Sequence, residues 1–445
     1  MATGCYTQLG FGFQPKLVVD FAGGEITSDA GLLLLRDFDE TLGLTAAAAA
    51  CLDDDGRDVR YVTHASATLL RQRLYQIVAG YEDANDATLL RHDATFQIVA
   101  GEGGAGALGS QPTVSRWEND TSWRAIGRLA NLGIAWFCAH AFALGEQPRE
   151  IILEPDGTDD PAHGAQQLAL FVGGHYGQRM YQPLIWSEGH TQLPLRARLR
   201  PGRSGQAAGA VEDLRYVLPP LRRRFPAATL LLRADAGFAT PRVEARLEAE
   251  GIGYVLAIGP NRAFTRRIAA LRARAERRFT RTGAAVTCWT SFHHRACRWP
   301  RQRRILVHLT VTGSGTVVRY YVTNRTGRAR DLVAWYAARG EAENRIKEWK
   351  NDLHADRLSC HRYRANAARL QLHTLAFALL AYFRHWRLAL TPLARATVAT
   401  IRAHLLKVGA RVVRTVRRIW VHLASGWPGR ATFVTAHAAR ARAPS

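Results

Sequence analysis

No aspartate or glutamate follows Asp356 in a chain of 445 residues. The stretch 357–445 therefore carries cations only, and Arg recurs as far as Arg442. One reading is a solvated tail. Contact with phosphates is the stronger one, because the stretch is not low-complexity and holds apolar, helix-like runs. Acid is scarce overall: 60 Lys+Arg face 37 Asp+Glu, a formal charge of +23. Such a surplus says nothing about fold, but it favours a polyanionic partner, nucleic acid first. Cysteine is also sparse. The six residues Cys5, Cys51, Cys138, Cys288, Cys297 and Cys360 are scattered with no C-x-x-C pair, which excludes a disulfide scaffold or zinc ribbon. Cys288, His293, His294 and Cys297 make the one local Cys/His run, at a spacing that fits no common zinc site. No charged segment leads into an apolar core at the start, so no secretory signal is expected. The longest apolar run, Leu370 to Ala381, is interrupted by Gln371 and His373 and is too short to span a bilayer. A soluble protein of the reducing cytoplasm, with no membrane partner, is expected.

The length allows two or three domains and a large core. Residues 1–145 read as mainly helical and DNA-binding, with Asp29 placed to cap a helix over Ala30 to Arg36 and a helical pattern from Tyr61 to Tyr81. Gly101 to Gly109 reads as a loop. Ser110 to Asn119 then opens a helix near Pro112, with Ser110 or Thr113 as cap. It presents Arg116 outward, either as a groove-reading helix or as an ordinary capped helix with Trp117 in the core. From Arg149 the pattern turns to strands: Glu150 to Asp156, Tyr181 to Ser187, Leu193 to Arg200, Ala228 to Arg233 and Gly253 to Ile258. Helices over Val211 to Leu218, breaking or kinking at Pro219-Pro220, and over Pro241 to Ala249 alternate with them. The expected class is α/β, a mixed sheet flanked by helices.

A very basic stretch, Arg262 to Arg281, precedes three further strands, so 260–326 reads as a β-rich insertion. Trp289, Phe292 and Trp299 lie there among Arg and His. Aromatics between cations suit base stacking, although half-buried rings of a small sheet explain them more simply. The core is thus divided into 146–259 and 327–390, with a long amphipathic helix over Ala365 to Leu390. A basic helical region, 391–445, follows, with helix-like sequence from Arg395 to Trp420 and a frayed Ala/Arg-rich end. No repeat is evident.

The segment Tyr336 to Lys350 carries the chemistry. On a helix with Tyr336 at zero, Arg339 falls at about 300°, Lys350 at about 320°, Glu343 at about 340° and Lys347 near 20°. An acid is framed by cations on one stripe. Trp335, Ala338, Ala342, Ile346, Trp349 and Leu353 form a core-facing ridge beside it. Solvated pairs such as Glu343 with Lys347 would produce the same charges. Two more acids sit at strand ends: Asp156 in Glu154-Pro-Asp-Gly-Thr158, and Asp235 in Arg233-Ala-Asp-Ala-Gly-Phe238. Each alone reads equally as a turn or cap residue. Carboxylates that converge repel unless a cation neutralises them. Hard oxygen donors suit Mg²⁺ or Mn²⁺, and two such ions serve phosphoryl transfer.

At this point the chain resembles a family. Tyr336, Arg339, Glu343 and Lys350 match the spacing Tyr-x2-Arg-x3-Glu-x6-Lys of the YREK subset of bacterial insertion-sequence DDE transposases. The segments Asp156 to Gly164, Tyr181 to Leu184, Arg233 to Phe238, Arg339 to Lys347, Asn366 to Leu370 and Ser110 to Asn119 are similar to the DDE domain group 1 proteins of the thirteen-eighty family. The resemblance runs from about Gly24 into the C-terminal region. One position departs from it: Glu154 stands where Asp is more frequent. The resemblance implies an RNase H-like core with a β insertion between the second Asp and the Glu. It implies Asp156, Asp235 and Glu343 as catalytic ligands of two Mg²⁺ ions, with Mn²⁺ able to substitute. Tyr336, Arg339 and Lys350 would contact DNA near the cut, and Lys347, Arg116, Trp289 and Trp299 are further candidates for DNA contact.

The implied partners are double-stranded DNA, at the terminal inverted repeats and the target, and a second copy of the chain bridging two ends. The implied location is a bacterial cytoplasm, on the nucleoid when DNA is bound. The implied reaction frees a 3′-OH at the element end and joins it to target DNA. Two other classes compete: a metal-dependent nuclease on the same core, and a domesticated, non-catalytic DNA-binding protein.

Overall fold

The computed structural model describes residues 8–52, 60, 62–101, 106–174 and 176–439. Cys5, Tyr61, residues 102–105 of the Gly/Ala-rich stretch and the Ala/Arg-rich end beyond Ala439 lie outside them. A ribbon of β1 (Leu9–Phe11) and β2 (Gln14–Val19) is followed by a short β3 (Glu25–Thr27). Helices then dominate, chiefly Leu32–Leu42, Ser66–Ala79, Gln111–Asp120 and Trp123–His140. Asp29 caps none of them. The Leu32–Leu42 helix starts at Gly31 without a side-chain cap, while buried Asp29 pairs with Lys407 at 2.6 Å and accepts from Tyr81 Oη at 3.1 Å. The carboxylate was drawn to a distant cation instead of its own helix.

The sheet strands begin with β4 (Glu150–Gly157), then β5 (Asp160–Pro161), β6 (Leu170–Val172) and β7 (Gln178–Tyr181), which make a small separate sheet in the order β5-β7-β6. Next come β8 (Leu184–Glu188), β9 (Pro194–Arg198), β10 (Thr229–Ala234) and β11 (Gly253–Ile258). The three long strands β12 (Val286–His294), β13 (Arg303–Thr312) and β14 (Gly315–Thr323) follow. The main sheet has eight strands in the order β12-β13-β14-β11-β10-β4-β8-β9. β4, β8 and β9 form an antiparallel meander, and β10 and β11 then add in parallel on the other side of β4. The helices Ala210–Arg224 and Pro241–Ala249 make these crossovers. This is the mixed α/β sheet expected of an RNase H-like core. The basic segment before β12 is helical, in Arg262–Arg267 and Ala269–Thr282, and β14 hydrogen-bonds directly to β11. The inserted strands therefore lengthen the main sheet.

Three sequence expectations fail for physical reasons. The Ala210–Arg224 helix runs through Pro219 and Pro220 rather than breaking. The carbonyls that lose their helical donors belong to Arg215 and Tyr216, which are exposed, so water can satisfy them. The stretch after Arg395 is not one helix. A short helix over Val398–Ile401 and a π turn to Leu406 give way to a hairpin of β15 (Ala410–Arg414) and β16 (Ile419–Leu423), with β3 pairing on β15. Ala410 and Val412 alternate inward there, a strand period, and the exposed Arg411 between them fits a helix equally well. Finally, Tyr363–Trp386 is not amphipathic. Ala365 to Phe383 is buried all round, and the helix packs against the Ser66–Ala79 and Trp123–His140 helices and β9. Two of its amide side chains are bonded inside: Gln371 donates to Ala197 O, and Asn366 donates to Cys360 O and Tyr181 Oη.

Candidate active site

Register brings two of the acids together. In the parallel pair β4/β10, Thr229 is level with Glu150 and Leu232 with Leu153. The paired register ends there; continued past it, the same offset would set Arg233 level with Glu154, and Asp235, just beyond β10, level with Asp156. Because side chains alternate, Glu154 and Asp156 share one face of β4, and Arg233 and Asp235 share that face of β10. The Glu154–Arg233 ion pair occupies the lower step and is almost wholly buried. The two aspartates occupy the step above it, at the strand ends. Arg233 also donates to the Trp335 carbonyl at 2.6 Å and lies over the Trp335 ring at 5.2 Å. A single buried guanidinium thus ties both strands to the helix that carries Glu343.

That helix is not continuous. Ala329–Ala337 is followed by a break, then by Gly340–Lys347 and a π turn over Glu348–Asp352. Arg339 sits at the break, only 8% exposed, and aims its two ends at different acids: 2.7 Å to Asp156 and 2.6 Å to Glu343. Glu343 therefore pairs with Arg339 and not with Lys347. The π turn rotates Lys350 off a regular stripe. Its Nζ lies 2.8 Å from Asp159 and 4.0 Å from Asp356. Tyr336 packs at a tilt against Tyr321 with centroids 4.7 Å apart, and burial pushes its phenol up to about 12. In the expected ridge, Ala342, Trp349 and Leu353 are buried, Trp335 and Ile346 are half-buried, and Ala338 is exposed.

Burial pushes the Asp156 carboxyl up to about 6, with Arg339 opposing and the charges of Asp235 and Glu343 adding to the rise. Asp156 therefore feels both of the other acids. Asp235 turns back to accept from Gly237 N at 3.0 Å, and Asp156 accepts from Gly157 N at 2.9 Å. A Cβ on either glycine would run into Gln206, so both strand ends close around this exposed side chain. Buried Arg200 holds the Gln206 loop through the carbonyls of Gly205, Gln206 and Ala208. No pattern in the Gly/Ala-rich segment around Gln206 announced this.

Among the described residues, no three His, Cys, Asp or Glu side chains stand arranged to share one metal ion, and that includes the Cys288–Cys297 run. The donor set at the acid edge nonetheless fits a hard cation. Two carboxylates pair with one guanidinium and Asp235 acts on it electrostatically, so the site is short of positive charge. The Glu343 side chain is half exposed and can swing on its helix.

The remaining candidates are dispersed. Arg116 is exposed on the Gln111–Asp120 helix, whose Trp117 is buried and donates to Ser66 Oγ at 3.2 Å. Lys347 is exposed beside Glu343. Trp289 is 37% exposed, stacked on His308 with Arg330 over its ring. Trp299 is buried, with Arg303 over its ring at 4.9 Å.

The family described as Transposase DDE domain group 1 matches residues 9–445. The chain belongs to that family. It is a DDE transposase, and its mixed sheet is the core of that domain. No curated protein matches it. Among solved structures it is similar to the piggyBac transposase synaptic complex with hairpin DNA, at 11% identity and a TM-score of 0.42, over 81% of this chain and 75% of that one. It is also similar to a chain of the simian T-cell lymphotropic virus intasome in complex with PP2A regulatory subunit B56 gamma, at 12% identity and a TM-score of 0.19, over 56% of this chain and 100% of that one. Both likenesses are too slight to carry functional meaning. Among the described residues of the transposase, no helix is long and apolar enough to cross a membrane.

Proposed function

We propose that this transposase cuts DNA at the terminal inverted repeats of an insertion sequence and joins the freed 3′-OH ends to target DNA. The observation that supports the reading is that Arg339 pairs with both Asp156 and Glu343, with the charge of Asp235 acting on Asp156, at one end of the sheet. Asp156, Asp235 and Glu343 would hold the divalent ions, Mg²⁺ or Mn²⁺. When bound, two such ions activate an attacking oxygen and steady a leaving one. The chain's own part is positional. Adjacent parallel strands fix the two aspartates at equal height. The broken helix brings Glu343 in from the side. Arg339 then has a carboxylate partner in the free chain and a phosphate partner when DNA arrives. Tyr336, beside Arg339, and Lys350, at the neighbouring Asp159 and Asp356, are assigned to the strand being cut, in the YREK manner. Lys347, Arg116 and Trp289 are the exposed members of the wider DNA contact. Two copies of the chain would bridge two ends, on DNA in a bacterial cytoplasm.

The test uses purified full-length chain and duplexes carrying the element's end. Asp156→Asn, Asp235→Asn and Glu343→Gln should each abolish cleavage while retaining DNA binding, and chelator should do the same to the wild type. Full cleavage by Glu343→Gln would overturn the assignment. A nuclease without joining shares all these residues, and an assay for joined donor–target product separates the two.

A further inference from the structure

An open cavity of about 730 Å³ lies at the other end of the main sheet. Its walls come from the ends of β12 and β14 and the start of β13. β14 runs antiparallel to β11, with Thr323 level with Val255, so this is the end at which β11, β10 and β4 begin. Asp156 lies at the far end of β4 from Glu150, roughly 20 Å away at about 3.3 Å per residue. The cavity is therefore separate from the acid edge.

Four arginines line it, and they fall into two kinds. Arg301 and Arg303 are neutralised, at 2.6 and 2.7 Å from Glu248, with Glu244 a further 2.9 Å from Arg303. Arg304 and Arg325 are not. Arg304 donates to Ser291 Oγ at 3.1 Å and to the Arg325 carbonyl at 3.3 Å, both neutral. Arg325 lies over the Trp335 ring at 4.5 Å, and its buried Nη1 has no hydrogen-bond partner among the described residues. Glu150 acts on Arg325 only at longer range, and it is already bonded to His190 at 3.1 Å. Among the described residues, two guanidiniums thus share a cavity with no carboxylate paired to either, and one carries a buried nitrogen without a hydrogen-bond partner. An unmatched buried donor is costly, and like charges add to the cost. A tetrahedral oxyanion in the cavity offsets the like charges, because it accepts from two half-exposed planar forks at once. Stacking on Trp335 and the bonds to Ser291 hold the forks in place before any ligand arrives.

We infer that this cavity binds phosphate groups, taken either from a nucleic-acid backbone or from a free phosphate compound. The inference is independent of what the three acids do.

The experiment titrates pyrophosphate and, separately, a short duplex into the purified full-length chain by calorimetry. It compares the wild type with Arg304→Gln and with the double variant Arg304→Gln/Arg325→Gln. A control, Arg274→Gln/Arg277→Gln, removes two exposed charges from the basic helix outside the cavity. Pyrophosphate affinity should fall at least tenfold in the double variant and severalfold in Arg304→Gln, with little change in the control. Arg304→Gln keeps a hydrogen-bonding group for Ser291, so it reads the cavity even if the double variant folds poorly. A parallel fall for the duplex assigns the cavity to a backbone, and a fall for pyrophosphate alone assigns it to a free phosphate compound. Unchanged affinity in Arg304→Gln, or an equal loss in the control, overturns the inference.

Discussion

Arg339 and Asp156 stand 2.7 Å apart, and the same guanidinium reaches Glu343 at 2.6 Å. In the free chain Arg339 is thus the counter-ion of the edge at which divalent cations are proposed to bind. Arg339→Gln should leave these acids mutually repelling, at a cost of about 2 kcal/mol. The loss should be largest in chelator and should shrink with millimolar Mg²⁺, because an ion that binds only the folded state stabilises it. Thermal melts with and without Mg²⁺ check this. An equal Mg²⁺-induced shift in wild type and variant would show that Arg339 and the ion do not share a site.

Asp156 gives a pH signature in the ion-free chain. Its folded pKa is raised to about 6, chiefly by burial, against an ordinary 3.8. Between those values the folded chain keeps a proton that the unfolded chain has lost. The group's contribution to stability therefore falls as pH rises from about 4 to about 6, and the penalty is complete above that. Asp156→Asn carries no such penalty. In chelator at about pH 7.5 the variant should melt no lower than wild type, and its difference from wild type should vary across the same window. A variant several degrees less stable at that pH would contradict the sign.

Glu154 and Arg233 make the opposite kind of site. Their side chains are 1% and 3% exposed, and they join β4, β10 and the Trp335 carbonyl. Glu154→Gln keeps the shape but strands a buried guanidinium, a change worth about 3–5 kcal/mol. The melting temperature should fall by several degrees, and Arg233→Met in the same chain should recover part of it. An unchanged melt for Glu154→Gln would mean that water reaches Arg233.

The strand ends were legible because alternating β and α segments leave few places for Asp156 and Asp235. What could not be read was the helix of Glu343. A uniform 100° step put Arg339, Glu343 and Lys350 on one stripe, whereas the break at Arg339 and the π turn after Lys347 divide them between two acid groups. Local periodicity carries no record of such a break, nor of the tertiary ion pairs that Arg339 and Lys350 make with Asp156 and Asp159. The β15–β16 hairpin was missed for a related reason. Its alternation is short, and arginines flank it in a segment otherwise rich in helix formers. Glu154 shows the reverse: it stands at the strand-register offset that pairs it with Arg233, a relation visible only once β4 and β10 are known to be parallel neighbours.

Lys350 tests whether the cations of this edge serve DNA or only the fold. In the free chain it is held by Asp159 at 2.8 Å and approaches Asp356 at 4.0 Å, with a fifth of its side chain exposed. If it turns to a phosphate when DNA binds, Lys350→Ala removes one released counterion. The slope of log affinity against log salt should then become shallower by about 0.9. End cleavage should fall about tenfold, as for one lost charge-assisted contact of roughly 1.4 kcal/mol. A purely structural lysine would instead lower the melting temperature and leave the salt slope alone. Measuring slope and melt on one preparation separates the two. An unaltered slope with a depressed melt would assign Lys350 to holding Asp159 and Asp356, and the acid edge would then bind its strand without it.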